Sequence, residues 1–213
     1  MPLVIFDCDG VLVDSEPISN RILAADITAA GWPMTTAECI ERFKGARLTV
    51  VQATVEKRIG DRLGDAWLND HYERIFEAFR AEIKPIPGAR EVLENLSDSE
   101  IPFCVASQGP VRKMQITLGA TGMWPLVDGH VYSATMVERP KPAPDLFLYA
   151  AAAEGYLTDD CIVVEDSATG VKAAVAAQMR VIGFAADDTD APALADAGAQ
   201  SIISDINMLM PLL

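Results

Sequence analysis

Residues 3–10 read LVIFDCDG, four apolar residues that lead into an acidic turn. The apolar part is rich in branched and aromatic residues, and the turn that follows contains Gly, so the stretch predicts a buried strand that ends at Asp7. Asp7 and Asp9 are two positions apart, and in an extended chain such side chains start on the same side. Short acidic turns of this kind are common, so this one taken alone favours an ordinary strand end over a site.

Similar apolar runs recur along the chain, and helical patterns separate them. Apolar residues at helical spacing mark residues 88–96, 146–153 and 169–178. Strands that alternate with helices indicate βαβ units, so the sequence predicts an α/β fold with a Rossmann-like, mostly parallel sheet. The further predicted strands are residues 103–106, 162–164, 181–184 and 201–203, with a weaker candidate at 130–132.

A long helical segment interrupts this alternation after the first strand. Helical patterns begin near Ser15 and continue at residues 50–59 and 66–79, with no strand pattern between them. We therefore predict a catalytic core of residues 1–15 and 83–213 and an inserted helical cap of residues 16–82. Open α/β sheets bind ligands beyond the carboxyl ends of their strands, so an insertion at this point is a candidate lid.

Composition and charge indicate which kinds of molecule the protein can bind. The chain has 213 residues, half of them apolar, which suffices for a globular core. Its 17 Lys and Arg against 31 Asp and Glu give a net charge of -14, which disfavours nucleic acid and anionic membrane partners. The sequence shows neither a secretory signal pattern nor a run that could span a bilayer, so we expect a cytoplasmic protein. We also expect a monomer or small homo-oligomer that acts on a small anionic substrate. The four cysteines form no CxxC pair and are expected to be reduced core residues.

A second acidic pair, Glu165 and Asp166, follows the predicted strand at 162–164. Parallel strands would bring it to the same sheet edge as Asp7 and Asp9. Four carboxylates there would repel one another unless a hard cation neutralised them, and oxygen ligands with room for water and phosphate favour Mg²⁺.

Two further positions carry groups that suit a phosphate. Ser107 and Gln108 follow the predicted strand at 103–106, and Ser107 is either a phosphate ligand or an ordinary helix N-cap. Lys141 lies between two prolines in a loop that is too rigid to be helical. Its ammonium group either binds a transferring phosphoryl group near the carboxylates or is solvated on the surface.

Taken together, these motifs resemble the haloacid dehalogenase-like hydrolase superfamily, and most closely its sugar-phosphate phosphatase and β-phosphoglucomutase branch with a helical cap. The resemblance covers nearly the whole chain, with the motifs in the family's order. The residues that carry it are 7–16 (DCDGVLVDSE), Ser107, 141–145 (KPAPD) and 165–170 (EDSATG).

The resemblance implies a magnesium-dependent phosphatase that acts on a small phosphorylated metabolite, a sugar or sugar-acid phosphate. Asp7 is then the nucleophile that forms an aspartyl-phosphate, and Asp9 protonates the leaving oxygen. Mg²⁺ is bound by Asp7, the main-chain carbonyl of Asp9, and Asp166 with Glu165 nearby, while Ser107 and Lys141 hold phosphate oxygens.

The cap contains one basic cluster, at residues 42–47, which we expect in a Gly-centred loop. Arg42, Lys44 and Arg47 are candidate substrate contacts, as is Gln108 in the core. The alternative for the cluster is a solvated run of charge at a helix end.

Three other functions fit the sequence less well. A phosphosugar mutase of the β-phosphoglucomutase kind involves a cap His soon after the first motif, whereas the chain's two histidines, His71 and His130, are expected to be ordinary surface or junction residues. A dehalogenase has no need of Asp9, because a halide leaves without a proton. A phospho-accepting signalling receiver has a similar acidic cluster, but the inserted cap argues against it.

Overall fold

The computed structural model describes residues 1–43, 46–187 and 189–213. It divides into two compact units, one formed by Met1–Asp14 with Lys84–Leu213 and the other by Ser15–Ile83. These boundaries lie next to the predicted ones. The assignment of the first unit as catalytic core and of the second as cap stays a prediction.

The larger unit is built on one parallel sheet. In the part of the chain that is described, six strands lie in the order β3-β2-β1-β4-β5-β6. This confirms the predicted α/β fold with a Rossmann-like parallel sheet, and the weaker strand candidate is found one residue later than expected. The strands are β1 (Leu3–Phe6), β2 (Phe103–Ser107), β3 (Val131–Ser133), β4 (Cys161–Glu165), β5 (Arg180–Phe184) and β6 (Ser201–Ile203).

Helices cover the sheet because its strands are apolar on both faces. Alternate strand residues form a core on one face with the apolar sides of two helices, α8 (Asp145–Glu154) and α9 (Ala168–Ala176). This core includes Leu3, Ile5, Cys104, Val163, Phe147 and Val171. The helices of this unit are α5 (Ala89–Asp98), α6 (Val111–Ala120), α7 (Trp124–Val127), α8 (Asp145–Glu154), α9 (Ala168–Ala176) and α10 (Ala191–Ala197).

The smaller unit is helical wherever it has regular structure in the described residues, as predicted. Its helices are α1 (Glu16–Ala29), α2 (Thr36–Phe43), α3 (Leu48–Ile59) and α4 (Ala66–Glu82). Helix α2 was not predicted, because its 8 residues are fewer than the stretch over which helical spacing can be judged, although its buried residues Cys39 and Phe43 are four apart on one face.

His71 is buried inside the helical unit, so the expectation that it lies at the surface or a junction was wrong. Its Nδ1 lies 2.5 Å from Asp26 Oδ2, and its ring stacks on Trp67. Arg74 completes the pairing, with Nε 2.7 Å from Asp26 Oδ1. Burial holds the pKa of His71 below its ordinary value, against the effect of Asp26.

The four cysteines are buried and free, as expected. Among the described residues, no helix has the length and apolar character that crossing a membrane requires.

Candidate active site

The ends of β1, β2 and β4 bring the predicted motifs to one edge of the sheet. Strand β1 pairs in parallel with β2 on one side and with β4 on the other. Asp7 follows β1, Ser107 ends β2 and Glu165 ends β4. The winding of the sheet changes direction between β1 and β4, and open α/β sheets bind their ligands at such a point.

Lys141 joins these strand ends. Its Nζ donates to Asp7 Oδ1 at 2.6 Å, to Glu165 Oε1 at 2.7 Å and to the carbonyl of Ala106 at 3.0 Å. The side chain is 1% exposed, so the ammonium group is not solvated on the surface. Its three donors are all used, and the rigid loop between the prolines fixes its position.

Burial shifts the pKa values of both Asp7 and Lys141. Loss of water raises the pKa of Asp7 from 3.8 to about 7, with Glu165 and Asp9 adding to the rise and Lys141 opposing it. Burial also disfavours the Lys141 ammonium, but Asp7 and Glu165 outweigh that effect and raise its pKa above the ordinary value. Lys141 therefore stays charged, and the Asp7 carboxylate depends on neighbouring positive charge.

Glu165 is fully engaged by the protein. Its Oε1 accepts from Lys141, and its Oε2 accepts from the main-chain N and the Oγ of Ser167, both at 2.9 Å. Ser167 also caps α9 by accepting from the amide of Gly170 at 3.0 Å. A Cβ at Gly170 would overlap the Glu165 carboxylate, so only Gly fits at this position without displacing Glu165.

Ser107 is buried, and its hydroxyl accepts from the amide of Gly109 at 3.0 Å. Helix α6 begins only at Val111, with Pro110 at its N-cap, so Ser107 is not the cap residue. Gln108 is exposed, and its Nε2 lies 3.4 Å from the carbonyl of Lys141, a long hydrogen bond.

Asp9 pairs with a residue that the sequence reasoning missed. Lys113 Nζ lies 2.8 Å from Asp9 Oδ1. Lys113 is in the first turn of α6 rather than at a strand end, so a search of strand ends passes over it. One signal was available, because a cation in the first turn opposes the helix dipole and has to be explained.

Asp166 lies against the first acidic turn. A Cβ at Gly10 would overlap its carboxylate, and Gly10 has a positive φ of 81°. Both the close contact and the backbone conformation therefore require Gly at this position. The close approach places Asp166 beside the turn that also carries Asp7 and the main-chain carbonyl of Asp9.

The oxygen groups at this edge fit a hard cation. Asp7, Asp166 and the carbonyl of Asp9 offer oxygen only, the chemistry that Mg²⁺ prefers. No three His, Cys, Asp or Glu side chains form a metal-binding group by themselves within the described ranges. A cation here would complete its shell with main-chain, water or substrate oxygens, as Mg²⁺ commonly does.

The basic residues Arg42 and Arg47, which were predicted as substrate contacts, do not both lie in a loop. Arg42 is in the last turn of α2, with its guanidinium 5.2 Å from the centre of the Trp32 ring. Arg47 is exposed and immediately precedes α3. Lys44 lies outside the described residues. Their role as substrate contacts stays a prediction.

Comparison with known proteins identifies the family. A family model described as a haloacid dehalogenase-like hydrolase matches residues 1–178. The chain belongs to the haloacid dehalogenase-like hydrolases. The 6-phosphogluconate phosphatase of Escherichia coli K12 is 33% identical over 190 residues, which are 89% of this chain and 85% of that protein.

Two further similarities extend over almost the whole of this haloacid dehalogenase-like hydrolase. A phosphorylated carbohydrates phosphatase of Thermotoga maritima is 29% identical, covering 98% of this chain and 97% of that one. A HAD family hydrolase from Deinococcus radiodurans, solved with bound phosphate and sodium, is 30% identical with a TM-score of 0.80, covering 98% and 93% of the two chains. The predicted family branch and enzyme class, a phosphoric monoester hydrolase, are confirmed.

Proposed function

We propose that this haloacid dehalogenase-like hydrolase is a magnesium-dependent phosphatase of sugar or sugar-acid phosphates that works through an aspartyl-phosphate on Asp7. The observation that carries the proposal is the buried Lys141, which pairs with Asp7 and Glu165 where three strand ends meet. A fixed ammonium group beside a carboxylate suits the transfer of a dianionic phosphoryl group.

In the first step, an oxygen of Asp7 forms a bond to phosphorus while the bond from phosphorus to the leaving oxygen breaks. Asp9 donates its proton to that oxygen, so a neutral alcohol leaves. In the second step, water attacks phosphorus, the bond to Asp7 breaks, and Asp9 takes up the proton of the water. The Lys141 ammonium, whose three donors are engaged by the protein, stabilises the charge on the phosphoryl oxygens by its positive charge alone, and the Ser107 hydroxyl donates a hydrogen bond to one of them.

Asp7, Asp166 and the main-chain carbonyl of Asp9 are the groups that would hold Mg²⁺. When bound, the ion offsets the negative charge shared by the carboxylates and the phosphate. Lys141 pairs with Asp7 and Glu165, and Lys113 pairs with Asp9, so these two ammonium groups already offset part of the negative charge. Glu165 would contribute through Lys141, since both of its oxygens already accept hydrogen bonds from the protein.

The substrate class rests on the relatives, whose names specify 6-phosphogluconate and phosphorylated carbohydrates. Arg42, Lys44 and Arg47 are the proposed substrate contacts in the helical unit. A mutase is disfavoured because His71 is buried against Asp26 and Trp67 within its own unit and is poorly placed to handle a substrate.

The test is a panel of phosphorylated sugars, sugar acids and alcohols, each assayed with Mg²⁺ for inorganic phosphate and for isomerised product. We expect phosphate release that EDTA stops and that added Mg²⁺ restores. Isomerised product without phosphate release would favour the mutase. Stoichiometric phosphorylation without turnover would favour a receiver.

A further inference from the structure

Asp9 has a cationic partner that the proposed reaction does not yet use. Lys113 Nζ lies 2.8 Å from Asp9 Oδ1, and the side chains of Lys113 and Asp9 are only 21% and 25% exposed. Partly buried pairs are screened less by salt and water than surface pairs. The contact therefore restricts where the Asp9 carboxyl group lies.

The position of Lys113 in its helix costs stability. It is the third residue of α6, and the first turn of that helix contains no acidic residue. A cation at a helix N-terminus faces the positive end of the dipole, at a cost of about 0.3–1 kcal/mol. The ion pair with Asp9 offsets this cost and gives a reason for a Lys at this point.

Gly109 leaves room for this arrangement. A Cβ at position 109 would lie 3.1 Å from Lys113 Cδ, 3.5 Å from Ser107 Oγ and 3.8 Å from Asp9 Oδ2. The stem of Lys113, the Ser107 hydroxyl and the second oxygen of Asp9 thus border one small space. Lys113 contacts Asp9 by Oδ1, and Oδ2 faces the space shared with the proposed phosphate ligand Ser107.

We propose that Lys113 is a positioning residue for Asp9, an inference that rests on the proposed phosphatase function and deepens it. The ammonium group donates to Oδ1, so the transferable proton resides on Oδ2. That oxygen then gives its proton to the leaving oxygen as the P–O bond breaks, and it accepts a proton from water in the second step. Lys113 acts through Asp9 and contacts neither phosphorus nor the leaving group.

Kinetics on different esters can distinguish positioning of Asp9 from simple attraction of the phosphate by Lys113. If Lys113 only attracted the phosphate dianion, its loss would weaken binding of every phosphate ester alike, whatever the leaving group. If it positions Asp9, its loss slows formation of the aspartyl-phosphate only where the leaving oxygen needs a proton, whereas hydrolysis of the aspartyl-phosphate is slowed alike for every ester. An alkoxide needs that proton, whereas nitrophenolate leaves readily without it.

The experiment compares Lys113→Met, which keeps the length of the stem and removes the charge, with the wild type on glycerol 2-phosphate and p-nitrophenyl phosphate. We expect kcat/KM, which reports the steps up to formation of the aspartyl-phosphate, to fall by about 10–100-fold on glycerol 2-phosphate and by less than about threefold on the nitrophenyl ester. Lys172→Met, the same change at an exposed position of α9, is the matched control and should leave both rates as they are. Equal losses of kcat/KM on the two esters would overturn the proposal.

A double-mutant cycle and a crystal structure complete the test. In an Asp9→Asn background, Lys113→Met should cause no further loss of kcat/KM on glycerol 2-phosphate, the ester on which it acts in the wild type, because the residue through which it acts is already disabled. Crystal structures of wild type and Lys113→Met should show the Asp9 carboxyl group turned away from its wild-type position in the variant. An unmoved Asp9 would refute the positioning role, and this result does not depend on activity. Wild-type protein that hydrolyses neither ester would count against the proposed function alone.

Discussion

Lys141 Nζ lies 2.6 Å from Asp7 Oδ1, although 134 residues separate the two in sequence. The same ammonium group reaches Glu165 at 2.7 Å, so one cation holds two carboxylates from the ends of two neighbouring strands. Asp7 thereby has a fixed position and a neighbour that favours its ionised form. Both are requirements for a carboxylate nucleophile.

Replacing Lys141 by Met should destabilise the protein and stop turnover. Asp7 and Glu165 would then be buried without their shared cation, and breaking a buried pair typically costs about 3–5 kcal/mol. Urea unfolding gives the loss in stability, and phosphate release gives the loss in activity. Lys172→Met serves as control for the same change on an exposed side chain. Unchanged stability would mean that the two carboxylates find other partners.

Asp7→Asn should abolish turnover while leaving the fold intact. The amide cannot attack phosphorus, and losing the residue that forms a covalent intermediate commonly costs about a thousandfold or more in kcat. Phosphate release and circular dichroism together check this. Asp98→Asn, the same substitution at an exposed position, should keep wild-type activity. Substantial turnover by the Asp7 variant would rule out the nucleophile assignment.

The burial of Asp7 also predicts a pH-dependent stability in metal-free buffer. Its pKa is raised from 3.8 to about 7, so between these values the folded protein keeps a proton that the unfolded chain releases. The free energy of unfolding contributed by Asp7 therefore falls as pH rises through that window. With EDTA present, the Tm of Asp7→Asn relative to wild type should rise by several degrees between pH 5 and pH 8. A pH-independent difference would contradict the raised pKa.

The strands were predictable because buried parallel strands are continuous apolar runs, and each acidic or hydroxyl group of interest directly follows one. The role of Lys141 was not decidable from sequence. Its loop could be judged rigid, but only the tertiary structure brings it to residues more than a hundred positions away. The role of Glu165 could not be read from the sequence either. Its place after a strand suggests a metal ligand, whereas in the structure its carboxylate contacts Lys141 and Ser167.

The helical unit was harder to predict in detail than the sheet. Arg42 was predicted to lie either in a Gly-centred loop or at a helix end, and it is found in the last turn of α2, against Trp32. His71 was expected at the surface or a junction. Helical spacing alone does not distinguish an exposed His from one that is paired with a buried Asp. Both cases depend on contacts between helices, which local patterns do not specify.

Arg47→Gln tests the proposed substrate contacts of the helical unit. Arg47 is exposed, so the change should leave stability within about 0.5 kcal/mol. If the side chain contacts an anionic sugar acid, KM for the preferred substrate should rise several-fold while kcat changes little, because binding alone is lost. Arg62→Gln, an exposed Arg of the same unit, is the control. Unaltered KM would remove Arg47 from the substrate site.

Gly170→Ala tests whether the packing of the second acidic motif supports the site. An added Cβ would overlap the Glu165 carboxylate, so that side chain would have to move, and Lys141 with it. Overpacking of this kind costs about 1–3 kcal/mol, and the displaced Lys141 should lower kcat. Gly119→Ala in α6 is the matched control, because a Cβ there meets no atom within 4 Å. It should stabilise the helix by up to about 1 kcal/mol without changing kcat. Equal stability and activity of the two variants would show that Glu165 tolerates displacement and that its contact with Lys141 does not limit catalysis.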